Sequence, residues 1–130
     1  MVKTIEQRIK FKVSAKRLYQ TYINAKAHAA AIDASAKITD KVGAAFSIFD
    51  GYIKGKNLWL KKDATIVQTW RGADWGKHDA DSILVLNFTS LKGGSQLHMI
   101  HTLVPDKAAK GITKGWHTFY WEPWQKYFKG

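Results

Sequence analysis

Apolar and polar residues alternate along the first part of the chain, over residues 4–13. Every second position is apolar apart from one glutamine, and the positions between are polar or charged. This two-residue period is typical of a strand with one face buried and the other in solvent. Two short helices are predicted after it, over about 15–23 and 25–32, because Ser14 and Asn24 are residue types that favour the N-cap position.

The middle of the chain contains short apolar runs separated by turn residues, which predicts consecutive antiparallel strands. The clearest turn is Asp50-Gly51, because Asp-Gly between apolar runs favours a tight hairpin. Gly55-Lys56-Asn57 interrupts the second arm of that hairpin and predicts a bulge. The strands are expected at about 46–49, 52–61, 64–71, 82–91 and 95–104.

The last part of the chain has helical periodicity, and its apolar face is almost wholly aromatic. This face consists of Trp116, Phe119, Tyr120, Pro123, Trp124 and Tyr127. Pro123 is expected to kink or locally open the helix, because proline lacks a backbone donor and clashes with the preceding turn. The order of elements predicts an α+β fold, in which a curved antiparallel sheet of six to seven strands wraps around a long C-terminal helix. The two short helices follow the first strand.

Composition narrows the class of protein. A length of 130 residues predicts one domain over 1–130, and charged and apolar fractions of 24% and 45% give little support to disorder or a membrane span. With no cysteine, disulfides and thiolate metal sites are excluded. Charged residues within the first eight positions replace the apolar segment that a signal peptide needs. We therefore expect a cytoplasmic monomer.

Basic residues outnumber acidic ones by 21 to 10, which gives a net charge of +11. Two groups, on the first strand and near the hairpin, define a predicted basic surface made of Arg8, Lys10, Lys12, Lys54, Lys56, Lys61 and Lys62. The excess is lysine rather than the arginine that reads bases in a bidentate manner, and there is no nucleic-acid motif. The charge therefore favours solubility and long-range steering over specific nucleic-acid recognition.

Four segments share a pattern with one known family. They are GAAFSIFDGYIKGKNL at 43–58, IVQTWR at 66–71, HTLVP at 101–105 and GWHTFYWEPW at 115–124. In this order they resemble signatures of proteins related to the C-terminal domain of the activator of the heat-shock-protein-90 ATPase. The resemblance implies the helix-grip fold of the START-like, or SRPBCC, superfamily, whose members enclose an apolar cavity between sheet and C-terminal helix. Leu103 and Ala44 replace glycines of the family pattern, which predicts a smaller or differently shaped cavity.

Strand alternation places His101 on the same inner face as Leu97, Met99 and Leu103. Together with a second strand and the aromatic helix face, it predicts a cavity lined by Gln68, Trp70, His101, Trp116, Phe119 and Tyr120. Of these, Gln68, His101 and Tyr120 form the expected polar set. The alternative is a filled core with a hydrogen-bonded histidine, since aromatic stripes mostly pack and buried polar groups are mostly satisfied.

Three functional interpretations remain open on the sequence. The first is a protein without assigned catalysis that binds an apolar or amphipathic small molecule, lipid-like or aromatic, in the cavity. The second, implied by the resemblance, is a chaperone-interaction module that uses the basic surface. The third is an enzyme of the cyclase or hydrolase kind, for which His101 is the one good candidate because a catalytic group needs a perturbed pKa. No metal or cofactor is implied, since the histidines lack ligand spacing. Trp59 and Trp121 stay unassigned, and their exposure would indicate a protein-binding surface.

Overall fold

The computed structural model describes residues 1–129. Its elements, in chain order, are β1 (Val2–Phe11), α1 (Ala15–Ile23), α2 (Ala25–Ile32), β2 (Ala36–Lys37), β3 (Ala45–Ile48), β4 (Ile53–Lys61), β5 (Thr65–Gly72), β6 (Ser82–Leu91), β7 (Gly94–Pro105), α3 (Asp106–Trp116), a π-helical turn (His117–Trp121) and α4 (Glu122–Lys129). The seven strands form one antiparallel sheet in the order β1-β7-β6-β5-β4-β3-β2. The predicted α+β architecture is confirmed.

Both predicted N-caps are present. The Ser14 hydroxyl accepts a hydrogen bond from the Arg17 backbone N–H at 3.1 Å, and the Asn24 side chain accepts one from the Ala27 N–H at 2.9 Å. These bonds satisfy amide groups that have no partner inside the first helical turn. They start α1 and α2 at the predicted positions.

Strand alternation separates the sheet into an inner and an outer face. Leu84, Leu86, Leu97 and Met99 on the inner face are fully buried, and the residues between them are partly exposed on the outer face. The helices cover the inner face. The core therefore lies between the sheet and the helices, as the predicted helix-grip arrangement requires.

One strand of the sheet has no counterpart among the predicted elements. The two-residue strand β2, which pairs with Ser47 and Ile48, is too short to be recognised from periodicity. The predicted bulge in β4 occurs as a register shift between Asn57 and Trp59. The C-terminal helical segment begins at Asp106, directly after the last strand.

Leu103 was expected on the inner face, and this is wrong. Its side chain is 44% exposed, and its backbone has φ of 61°, in the left-handed region. The pairing of β1 with β7 shifts register between Lys3 and Ile5, and such an irregularity breaks the in-out alternation. The leucine therefore projects outward and does not reduce the volume of the interior.

Pro123 opens the helix in the turn that precedes it, as predicted. The Glu122 N–H bonds to the His117 carbonyl, five residues back, in place of a regular α-helical bond. This wider turn changes which side chains face inward: Tyr120 and Trp121 are both buried, whereas Phe119 is 55% exposed. The expected aromatic face is therefore correct for Trp116, Tyr120 and Trp124 and wrong for Phe119 and Tyr127, which are exposed.

Candidate functional site

A pocket of about 460 Å³ lies between α3 and one end of the sheet. Its walls come from α3, the β3–β4 turn, the adjoining ends of β4 and β5, the loop after β5 and the π-helical turn. They are formed by Phe49, Tyr52, Ile53, Trp70, Gly72, Asp74, Trp75, Lys107, Ala108, Gly111, Ile112, Gly115, Trp116, Phe119 and Tyr120. Natural small-molecule sites measure about 300–1,000 Å³, so the pocket has the size of a ligand site.

Small residues of α3 create this space. Ala108, Gly111 and Gly115 recur at intervals of three or four residues, which places them on one side of the helix. A Cβ atom added at Gly111 would meet no atom within 4 Å, so the helix surface there borders open volume. The sequence contains this spacing of small residues, and it is the signal that could have located the pocket.

Aromatic rings form the inner wall of the pocket. Trp70 lies 5.7 Å from Trp75 and 6.0 Å from Trp116 between ring centroids, and Trp116 lies 4.9 Å from Tyr120. At the rim, Phe49 and the exposed Phe119 meet edge to face at 5.9 Å. Such a wall offers extensive apolar area and ring faces for contact with an apolar or aromatic ligand.

The charged groups of the pocket belong to Asp74 and Lys107, both exposed. Tyr52 lies beside Asp74, and burial together with the carboxylate charge raises the pKa of its phenol. The rim thus carries one carboxylate, one ammonium group and one neutral hydroxyl, while the interior is mainly aromatic. This distribution suits a ligand with an apolar body and a polar end.

The structure brings together four of the six predicted cavity residues. Trp70, Trp116, Phe119 and Tyr120 line the pocket. Gln68 and His101 do not, and the expectation that they face the cavity is corrected: both are fully buried and held in hydrogen bonds beside the pocket. Their inward orientation was predicted, but neighbouring side chains cover them. Phe49, Tyr52 and Trp75 also line the pocket and are absent from the predicted set.

His101 is enclosed by its hydrogen-bond partners. The Trp116 indole N–H donates to Nδ1 at 3.1 Å, so the ring proton is assigned to Nε2, which donates to the Ser82 hydroxyl at 2.7 Å. The hydroxyl in turn donates to the Trp70 carbonyl at 2.8 Å. Burial lowers the pKa of His101 to about 3, so the ring is neutral. With both nitrogens occupied, the ring holds Trp116 directly and Trp70 through Ser82.

A second buried network joins α1, α2 and the π-helical turn to strands β4 and β5. His28 Nδ1 donates to the Tyr22 carbonyl at 2.7 Å, and its Nε2 accepts from the Tyr120 hydroxyl at 2.7 Å. Burial lowers the pKa of His28 to about 4. The Tyr22 hydroxyl donates to Gln68, whose amide donates to Asn57. The hydroxyl of Tyr120 is therefore committed to His28, although its ring borders the pocket.

The predicted basic surface is divided between two places. Arg8 and Lys10 lie on β1, an edge strand, and Lys12 directly follows it, whereas Lys54, Lys56, Lys61 and Lys62 lie on or directly after β4. All seven are exposed, and β7, β6 and β5 lie between the two groups. Of the two unassigned tryptophans, Trp121 is buried and donates to Gln7 at 2.7 Å, while Trp59 is 52% exposed.

Residues 1–129 contain no group of three or more histidine or carboxylate side chains that could hold a metal ion. In the same range, no helix is both long and apolar enough to cross a membrane.

Solved structures of other proteins share this fold. Among solved structures, an HSP90 activator from Plasmodium falciparum superposes with a TM-score of 0.84 at 24% identity, over 90% of this chain and 89% of that one. The protein Ara h 8.0201 superposes with a TM-score of 0.78 at 14% identity, over 99% of both chains. The fold is thus the helix-grip fold of START-like proteins.

Residues 12–129 match the family described as activator of Hsp90 ATPase homolog 1-like protein, and the chain belongs to this family. A Dictyostelium discoideum protein named activator of 90 kDa heat shock protein ATPase homolog is 25% identical over 88% of this chain. An uncharacterized Schizosaccharomyces pombe protein is 32% identical over 78% of it. The chain spans 30% of the length of both relatives.

Proposed function

We propose that this protein binds an apolar or amphipathic small molecule in the pocket between α3 and the sheet. The observation that carries the proposal is a pocket of about 460 Å³ whose inner wall is built from aromatic rings and whose charged groups stand at the rim. A ligand would place its apolar body against Trp70, Trp75 and Trp116 and its polar end near Asp74 and Lys107. The fold class, which includes ligand carriers by family resemblance, supports the same proposal.

The proposal assigns no catalytic step. A general base needs a free lone pair and a pKa near the working pH. His101 has neither, because Trp116 occupies its Nδ1 and burial lowers its pKa to about 3. His101, beside the inner wall, therefore supports ligand binding by positioning Trp116.

The test is titration with two named probes, 8-anilinonaphthalene-1-sulfonate and palmitate, monitored by amide and indole chemical shifts. At least one probe is expected to shift the indole signals of Trp70, Trp75 and Trp116 saturably, at one molecule per chain. Silence of these signals with both probes, and with a wider panel of sterols and aromatic compounds, would overturn the proposal.

Gly111→Phe is the variant that separates pocket binding from surface binding. A side chain at this position grows into open volume, so the helix is retained while the pocket is filled. We expect affinity to fall at least about tenfold, which corresponds to about 1.4 kcal/mol. Gly111→Ala should bind almost normally, and Lys110→Phe, which adds the same ring to α3 outside the pocket lining, is the matched control. Equal affinity of Gly111→Phe and wild type would refute binding in this pocket.

A second candidate function is a chaperone-interaction module. Membership of the family and the name of the Dictyostelium relative favour it, and the exposed lysines would suit an acidic chaperone surface. The measurement is the ATPase turnover of heat-shock protein 90 at low salt, with and without this chain. Turnover that does not change removes the candidate.

A further inference from the structure

The outer face of the sheet carries a straight row of apolar side chains, here called the outer row. Cross-strand pairing places Trp59 of β4 opposite Val67 of β5, Val67 opposite Val85 of β6, and Val85 opposite Ile100 of β7. Directly opposed residues on one face have Cβ atoms about 4.5–5.5 Å apart. The four side chains therefore form one continuous strip across four strands.

This strip faces away from the helices. Trp59 is 52% exposed, and the other three side chains are partly exposed. Partly exposed valine and isoleucine are common on sheets because they favour strands, but tryptophan is large and is rarely left half in solvent. Trp59 follows the register shift in β4, which orients the ring onto the outer face beside Val67.

Lysines flank the exposed end of the outer row. Lys56 and Lys61 lie on either side of Trp59 along β4, and Lys54 and Lys62 extend the same group. Within residues 1–129, none of these four lysines lies within 4.0 Å of a carboxylate. At the other end of the row, Glu6 faces Ile100, but its carboxylate bonds to His98 at 2.6 Å and contacts Arg8 at 3.3 Å. The field around the row is thus positive.

We propose that the outer row and its lysines bind an acidic polypeptide segment that contributes apolar side chains. Apolar contacts across the row would supply affinity, and the lysines would select acidic over basic sequences. Four strands at about 4.8 Å spacing span about 14 Å, which an extended segment of four or five residues covers. A second copy of this chain is a poor occupant, because its net charge of +11 repels a positive surface.

This inference does not rest on the pocket, which opens on the other side of the sheet. The proposed docking surface would serve the second candidate function, a chaperone-interaction module. Its test uses peptides instead of a chaperone, so the test can succeed where a chaperone assay fails. The Gly111→Phe variant should bind such peptides normally, which distinguishes a failure of this surface from a failure of the pocket.

The experiment compares three 12-residue peptides by chemical-shift titration. One is rich in Asp and Glu and carries two leucines, the second has serines in place of the leucines, and the third has lysines in place of the acids. The leucine-containing acidic peptide is expected to shift the Trp59 indole and the methyl groups of Val67, Val85 and Ile100 saturably. Its affinity should fall with salt, and the other two peptides should bind at least about fivefold more weakly.

Variants assign the interaction to the outer row. Trp59→Ser, and separately Lys56→Glu with Lys61→Glu, should each weaken binding about fivefold or more. Tyr127→Ser removes an exposed aromatic residue elsewhere, and Lys26→Glu with Lys126→Glu matches the charge change away from the sheet. Both controls should bind as wild type does.

Three outcomes would overturn the proposal. The first is equal binding of the leucine and serine peptides, which would reduce the surface to nonspecific charge attraction. The second is an absence of shifts in the outer row with every peptide. The third is tighter binding, through the same residues, of phosphatidylserine vesicles or of an oligothymidine, which would assign the face to lipid or to nucleic acid.

Discussion

The two ends of the space between sheet and helices differ in how they are filled. At one end, the filled end, Trp124 packs against Phe11, Tyr22 and Trp121 with ring centroids 5.6–6.4 Å apart. At the other, the open end, α3 presents glycine and alanine to the sheet and leaves the pocket of about 460 Å³. The same sheet and the same C-terminal helical segment therefore hold a packed core and a cavity side by side.

This contrast shows that side-chain size along the last helical segment decides where the fold is hollow. The inner face of the sheet carries large residues at both ends, such as Phe11 and Trp70, so the sheet does not make the difference. The difference comes from the C-terminal helical segment, which carries Gly111 and Gly115 at the open end and Trp121 and Trp124 at the filled end. A helix-grip protein can thus acquire or lose a pocket through two or three helix positions, while its stability is provided at the filled end.

The largest expected effect is from truncation at the filled end. Trp124 is fully buried, and large-to-small changes of buried aromatic residues cost about 3–5 kcal/mol. We expect Trp124→Ala to lower the free energy of unfolding in urea by that amount. Phe119→Ala, at the rim of the open end where the ring is 55% exposed, should cost less than about 1 kcal/mol. Similar losses for the two variants would contradict the division into filled and open ends.

A buried neutral histidine stands at each end, and both make the protein acid-sensitive. The pKa of His28, at the filled end, is lowered to about 4, and that of His101, beside the open end, to about 3. Below the unfolded-state pKa of about 6.5, the unfolded chain binds protons that the folded chain does not, so the free energy of unfolding falls with falling pH. Between pH 7 and 5, the loss should be roughly 2 kcal/mol per histidine.

Urea titrations at pH 7, 6 and 5 measure this dependence. His28→Gln and His101→Gln, which keep a donor and an acceptor, should each remove about half of the loss between pH 7 and 5. His78→Gln, in the exposed loop after β5, is the control for the loss of a histidine from the surface. If the free energy of unfolding stays constant over this range, the two buried histidines are not held neutral.

Much of the fold was predictable from the sequence, because it rests on local signals. Alternation gave β1 its inner face, and Ser14 and Asn24 began their helices through bonds that lie within a few residues. The site was less predictable. Gln68 and His101 point inward as alternation requires, but whether they line a cavity depends on Trp116 and on Tyr22, which are distant in sequence.

The helix face shows the same limit. Regular periodicity assigned Phe119 to the interior, but the wide turn before Pro123 rotated the following residues and buried Trp121 in its place. The presence of an opening at Pro123 followed from the residue type, whereas its direction depended on packing against the sheet. Long-range packing of this kind decided which four predicted cavity residues came together.

The smallest expected effect, and the one opposite in sign, concerns the strand that leads into the open end. Leu103 adopts φ of 61° in β7, two residues before the end of the strand, with its side chain 44% exposed. A left-handed backbone costs a residue with a Cβ atom about 1–2 kcal/mol, and glycine adopts it freely. Glycine loses more chain entropy on folding, which offsets part of this gain, so Leu103→Gly should raise the free energy of unfolding by up to about 1 kcal/mol.

Leu91→Gly, at a leucine with similar exposure and no positive φ, should be destabilising when measured in the same urea titration. A loss of stability in Leu103→Gly as large as in Leu91→Gly would show that the strand beside the pocket stores no backbone strain.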